Sequence, residues 1–264
     1  MTAQSTVRRG EPLLAIRGLS VRFRGIVALD GVSFDVDAGE LCGVIGPNGA
    51  GKTTLFNCLG RLYDAHAGTI AFAGRSLLEL PRHAIAPLGI GRTFQNLALF
   101  HSMSVTQNVL AGAHCRTRAG FVADALRLPY VRREEERARR RAAELIELCD
   151  LGAVAATAVG SLPYAIKKRV ELARALACEP RLLLLDEPAG GLNHDEVERL
   201  GDLIRRVRAK LDLTILLVEH HLNLVMRISD RVVALDFGRT IAMGTPEEMQ
   251  RNPEVIRAYL GVAP

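Results

Sequence analysis

The run GPNGAGKTT at residues 46–54 restricts what this chain can fold into more than any other stretch. The strand-like LCGVI precedes it, and TLFNCLGRL follows with Leu55, Leu59 and Leu62 at helical spacing. Between a strand and a helix, this Gly-x-x-x-x-Gly-Lys-Thr pattern makes a phosphate-binding loop. Gly46, Gly49 and Gly51 let the backbone turn so that successive N–H groups converge on phosphate oxygens, and the positive end of the helix adds to them. Lys52 brings a point charge to the β and γ phosphates, and the Thr53 hydroxyl is a hard oxygen ligand suited to Mg²⁺. Asn48, Ala50 and Thr54 belong to the same nucleotide-binding stretch.

The metal needs a second anchor at the end of a buried strand. RLLLLDEP at 181–188 offers Asp186, with Glu187 immediately after it. Acids at the carboxyl end of a parallel strand lie where α/β sheets bind ligands, so Asp186 is expected to hold Mg²⁺ through water and Glu187 to orient or deprotonate an attacking water. The apolar runs at 182–185 and 215–218 have the length of strands buried on both faces, and their alternation with helices implies a parallel sheet. Short β-rich runs at 13–16, 32–36 and 40–45 dominate the N-terminal part. From about 105 to 151 the period becomes helical, with Ala138, Ala142, Leu145 and Cys149 on one face and Glu135–Arg139 and Glu136–Arg140 pairs on the other.

Composition narrows the class. The chain has 264 residues, 48% hydrophobic and 24% charged, which excludes disordered and fibrous proteins. The net charge of +5 is spread along the sequence and gives little support to nucleic-acid binding. Five scattered cysteines without a Cys-x-x-Cys pair argue against a disulfide framework or zinc site and favour a reducing compartment. Neither a signal peptide nor a membrane span is expected from the hydropathy pattern.

These residues together resemble the ATP-binding subunits of ABC transporters, over nearly the whole chain from about 13 to 261. Phe23 is similar to the aromatic that stacks on adenine, Gln95 in GRTFQN to the glutamine linking the nucleotide site to the membrane subunits, and His220 to the switch histidine at the γ-phosphate. AGGLN at 189–193 resembles the loop through which paired subunits touch, with Asn193 where Asp is more usual; His221 corresponds to no functional position. GIGRTFQN at 89–96, the charged helical insert and NPEVIRAYLG at 252–261 bring the chain nearest to the longer ATPase subunit of bacterial branched-chain amino acid importers. Near that end, Thr245, Pro246 and Glu248 form a capping-box signal, and Asn252-Pro253 repeats a helix start.

The resemblance implies an α/β fold, a P-loop NTPase with a RecA-like parallel core, an antiparallel β portion and a helical subdomain. One nucleotide-binding domain is expected over 1–264, with the helical subdomain at about 97–165 and a helical extension at about 245–261. It further implies ATP and Mg²⁺, the metal held by Thr53, Gln95 and Asp186, and catalysis by Glu187, His220, Gln95 and Lys52. Implied partners are a second ABC ATPase subunit, a different shorter paralogue or a second copy, two transmembrane permease subunits and, indirectly, an extracytoplasmic solute-binding protein, with no nucleic acid. The place implied is the cytoplasmic face of the bacterial inner membrane. One stretch departs from the pattern. Where the family carries Leu-Ser-Gly-Gly-Gln at the start of a helix, this chain has Leu162-Pro163-Tyr164-Ala165-Ile166, losing the hydroxyl, one N–H and both glycines. A nucleotide-binding regulatory or assembly subunit with little turnover therefore stays open as an alternative, as does the ATPase of a related lipid exporter.

Overall fold

In β7 (Leu182–Asp186) and β8 (Thr214–Val218) every residue is buried, which is what a strand covered on both faces requires. Period-two alternation divides their side chains between two cores: Leu183, Leu185, Ile215 and Leu217 enter one, Leu182, Leu184, Leu216 and Val218 the other. The computed structural model describes residues 11–94, 97–116 and 129–260. With β3 (Leu41–Ile45), β6 (Ile90–Arg92), β9 (Arg231–Asp236) and β10 (Arg239–Gly244), these strands form a six-stranded sheet in the order β10-β9-β3-β8-β7-β6. All neighbours are parallel except β9 and β10.

A second, antiparallel sheet covers one core. β1 (Leu14–Phe23) pairs with β2 (Ile26–Val36) and with β4 (Ala67–Phe72), and β5 (Arg75–Ser76) completes the order β2-β1-β4-β5. Its apolar face, with Leu14, Ile16, Val21 and Phe34, packs with Leu55, Phe56 and Leu59 of α1 (Lys52–Leu59). After the short α2 (Ile85–Leu88) come α3 (Val105–Gly112), α4 (Pro129–Leu148) and α5 (Tyr164–Leu176), which pack against one another. On α4, Ala142 and Leu145 are buried and Ala138 is partly so; Cys149 is buried just past the helix end, and Arg139 lies 3.7 Å from Glu135 on the outer face. These three helices share the other core with α6 (His194–Leu211).

The chain ends in α7 (Leu222–Ile228), the β9–β10 hairpin, α8 (Pro246–Arg251) and α9 (Pro253–Leu260). Thr245 and Glu248 make a reciprocal capping box at α8, and Asn252 accepts from the Glu254 and Val255 amides at the start of α9. The antiparallel edge formed by β10 was not anticipated from the sequence. Its turn, Phe237-Gly238, has both residues at positive φ, and the Gly238 N–H donates to Ala50 O at 3.2 Å, so the hairpin abuts the phosphate loop. Among the described residues no helix is long and apolar enough to cross a membrane.

Candidate functional site

Three parallel strands, β3, β7 and β8, deliver their carboxyl ends to one region, and the loops that leave them carry the chemistry. After β3 the chain passes through residues 46–51 and starts α1 at Lys52, with Gly51 as N-cap at φ 100° and no side-chain cap. A Cβ on Gly51 would lie 2.6 Å from Ala28 O, and one on Gly46 2.2 Å from Leu235 O, so the loop is seated where only glycine fits. Asn48 and Gly49 are exposed at its tip, Ala50 is buried beneath it, and Thr53 and Thr54 stand in the first turn of α1. Lys52 is buried, its Nζ donating to Gly46 O at 2.7 Å and Pro47 O at 3.0 Å. Burial pushes its pKa below the ordinary lysine value, and the charge of Glu187 partly opposes this.

Asp186, the last residue of β7, is also buried. Its Oδ2 accepts from the Arg92 guanidinium at 2.8 Å, while Oδ1 is buried without a hydrogen-bond partner among the described residues. Burial raises the pKa of this carboxyl, against the opposing pull of Arg92. An orphaned carboxylate oxygen beside a phosphate loop, with a threonine hydroxyl at the start of the facing helix, is a donor set that fits a hard divalent cation. Glu187 takes a left-handed backbone, φ 46°, unusual for a residue with a side chain, and its N–H donates to Val218 O at 2.9 Å. That bond fastens the loop after β7 to the end of β8. His220 comes from the next loop, half exposed, with Nδ1 3.9 Å from Glu187 Oε2.

Four groups that the sequence analysis did not single out complete the arrangement. Glu219, wholly buried, accepts from the amides of Ala189 at 2.6 Å, His220 at 2.9 Å and His221 at 3.1 Å, and so joins the loop after Glu187 to the histidine loop. Glu219, His220 and His221 lie close enough to share an ion, but the Glu219 oxygens are occupied by these three N–H groups. Arg92 is sandwiched between Phe56 and Phe94 and presented to Asp186. Tyr63 meets Phe23 edge to face, ring centres 5.0 Å apart and both rings about 40% exposed, giving the expected adenine platform a second aromatic wall. The Tyr259 hydroxyl accepts from the Gly46 N–H at 2.7 Å. Only Arg92 had a local signal, its place in GRTFQN at the end of a short parallel strand.

The structure brings Lys52, Asp186, Glu187 and His220 together and sets Phe23 on the β1–β2 hairpin; Gln95 lies outside the described residues. At the start of α5, Pro163 is the N-cap with no side-chain hydrogen bond. Tyr164 packs over Gly191 in the loop that follows Glu187, Lys168 sits 5.5 Å above the Tyr164 ring, and Lys167 donates to Gly160 O.

Residues 29–190 match the sequence profile of the ABC transporter family, and residues 239–264 match that of the branched-chain amino acid ATP-binding cassette transporter. The high-affinity branched-chain amino acid transport ATP-binding protein BraF of Pseudomonas aeruginosa is 43% identical, covering 96% of this chain and 99% of that protein. The corresponding LivG of Escherichia coli is likewise 43% identical over the same shares of the two chains. Among solved structures, the ADP conformation of MJ1267, an ATP-binding cassette of an ABC transporter, superposes with a TM-score of 0.83 at 28% identity, covering 96% of this chain and all of that one.

Proposed function

The chain belongs to the ABC transporter family as an ATP-binding and ATP-hydrolysing importer subunit, and we propose that its importer carries branched-chain amino acids or related small polar solutes. The observation that carries this reading is the likeness to two such subunits over 96% of the chain, extending into a C-terminal segment that has its own branched-chain profile. Uptake of labelled leucine tests it in cells whose own branched-chain ATPase subunit is deleted. The wild-type chain should restore uptake, and restored uptake of an unrelated solute alone would overturn the solute class.

In the mechanism we propose, the loop at 46–51 and the N–H groups opening α1 receive the ATP phosphates, and Lys52 turns its ammonium from loop carbonyls toward them. Phe23, with Tyr63 beside it, stacks on adenine. Thr53, Asp186 and Gln95 would hold Mg²⁺, with the unpartnered Asp186 Oδ1 as one donor, and the ion would supply neutralisation of phosphate charge. Glu187 orients water against the γ-phosphorus and takes its proton. His220, fixed through its backbone by Glu219, steadies the γ-phosphate. The half-site supplied by the start of α5 is weak, because Pro163 lacks an N–H and Ala165 and Ile166 replace a glycine and a polar side chain. This favours pairing with a different, shorter ATPase subunit whose signature completes the site built on Lys52, Asp186 and Glu187. That pair would sit on two permease subunits at the cytoplasmic face of the membrane, served by a solute-binding protein on the far side.

A further inference from the structure

Gly46, the first residue of the phosphate loop, is held through both of its backbone polar groups. Its carbonyl oxygen accepts from Lys52 Nζ at 2.7 Å, and its N–H donates to Tyr259 Oη at 2.7 Å from a residue 213 positions away. Gly46 is buried and has no room to shift toward β9, where Leu235 O already crowds the space a Cβ would take. Tyr259 is partly buried near the end of α9 and packs against the larger core, while Asn252 caps the helix and Val255 anchors it. Burial holds the phenol pKa above its ordinary value, so the group meeting Gly46 is a neutral hydroxyl. Nothing in the fold requires a tyrosine here for packing alone, since a phenylalanine ring would fill the same volume.

We propose that Tyr259 is a positioning residue for nucleotide binding, its hydroxyl fixing the Gly46 N–H so that ATP affinity and the docking of α9 are coupled. The inference rests on the ATP site described above. Without the hydroxyl, a buried N–H at the root of the loop loses its acceptor, and the loop leaves its binding geometry to find another. Linkage then works both ways: whatever α9 does for ATP binding, ATP binding does for the docking of α9. A C-terminal helix far along the chain thereby becomes a handle on the phosphate loop.

The test uses the full chain as wild type, Tyr259→Phe and Lys52→Ala, with titration of a fluorescent ATP analogue, steady-state ATPase, and hydrogen exchange with and without MgATP. Tyr259→Phe should weaken nucleotide binding and raise KM about three- to tenfold, the worth of one neutral hydrogen bond, with kcat at saturating ATP within about twofold of wild type. MgATP should protect amides at 253–260 in wild type and protect them less in Tyr259→Phe. Wild-type affinity in Tyr259→Phe overturns the proposal, whether or not its melting temperature falls, and so does a loss confined to kcat. Failure of the wild-type chain to bind the analogue, or unchanged binding by Lys52→Ala, would instead overturn the reading of the ATP site.

Discussion

The helices α1 and α5 share an uncapped start with the shorter α2 and α7, and the difference between α1 and α5 separates a phosphate site from an ordinary helix start. α3, α6 and α8 open with reciprocal capping boxes, Ser104 with Gln107, Asn193 with Glu196 and Thr245 with Glu248, which satisfy their own first amides. α1 and α5 open uncapped and without an acid in the first turn, leaving those N–H groups for another acceptor. In α1 the preceding loop is built from glycines in conformations that gather further N–H groups, and Lys52 adds a charge. In α5 the preceding residue is Pro163, a half-exposed Tyr164 covers the start, and Lys167 is turned toward Gly160 O. An uncapped helix start thus leaves N–H groups available to an anion, and the loop before it supplies the rest of the site.

The largest expected effect lies on the α1 side of this comparison. Glu187→Gln keeps shape while removing the base, so ATPase should fall by about a hundredfold or more; analytical ultracentrifugation with MgATP should then show a growing dimer fraction. Turnover near wild type would remove Glu187 from its role. Gly51→Ala comes next, because it forces a side chain into φ 100° against Ala28 O. The left-handed backbone alone costs about 1–2 kcal/mol, and ATP affinity measured by calorimetry should drop about tenfold. Tyr164→Ala should do least, changing the ATPase rate of the isolated chain by no more than about threefold, since the half-exposed ring it removes meets Lys168, in a cation–π pair worth about 2 kcal/mol at most, and Gly191, and neither contact is to the reacting groups. If Tyr164→Ala costs as much as Gly51→Ala, the two helix starts are not as unequal as described.

What the sequence could show follows the range of the interactions. The phosphate loop, the buried strands ending in Asp186 and the capping box at Thr245 are local patterns, each contained in about ten residues, and the structure has the corresponding elements. Arg92 reaches Asp186 across 94 positions and Tyr259 reaches Gly46 across 213, and no periodicity announces a contact that depends on the final placement of strands. Glu219 is a related case, an acid next to a histidine that is informative only once three backbone amides are seen to converge on it. The β9–β10 hairpin had a weak local signal in Phe237-Gly238, but Phe237 is 85% exposed at positive φ, the opposite of what an aromatic residue usually indicates.

The proposed weakness of the α5 half-site is open to repair by substitution, with the ATPase rate of the repaired chain as the readout. The variant carries Pro163→Ser, Tyr164→Gly, Ala165→Gly and Ile166→Gln, and is assayed without any partner at saturating MgATP beside the wild type. Restoring even one or two donors aimed at developing charge should raise the rate by about a hundredfold, the usual worth of such a donor. A repaired chain that hydrolyses ATP no faster than wild type would contradict the account, because the start of α5 would then not be what limits this enzyme.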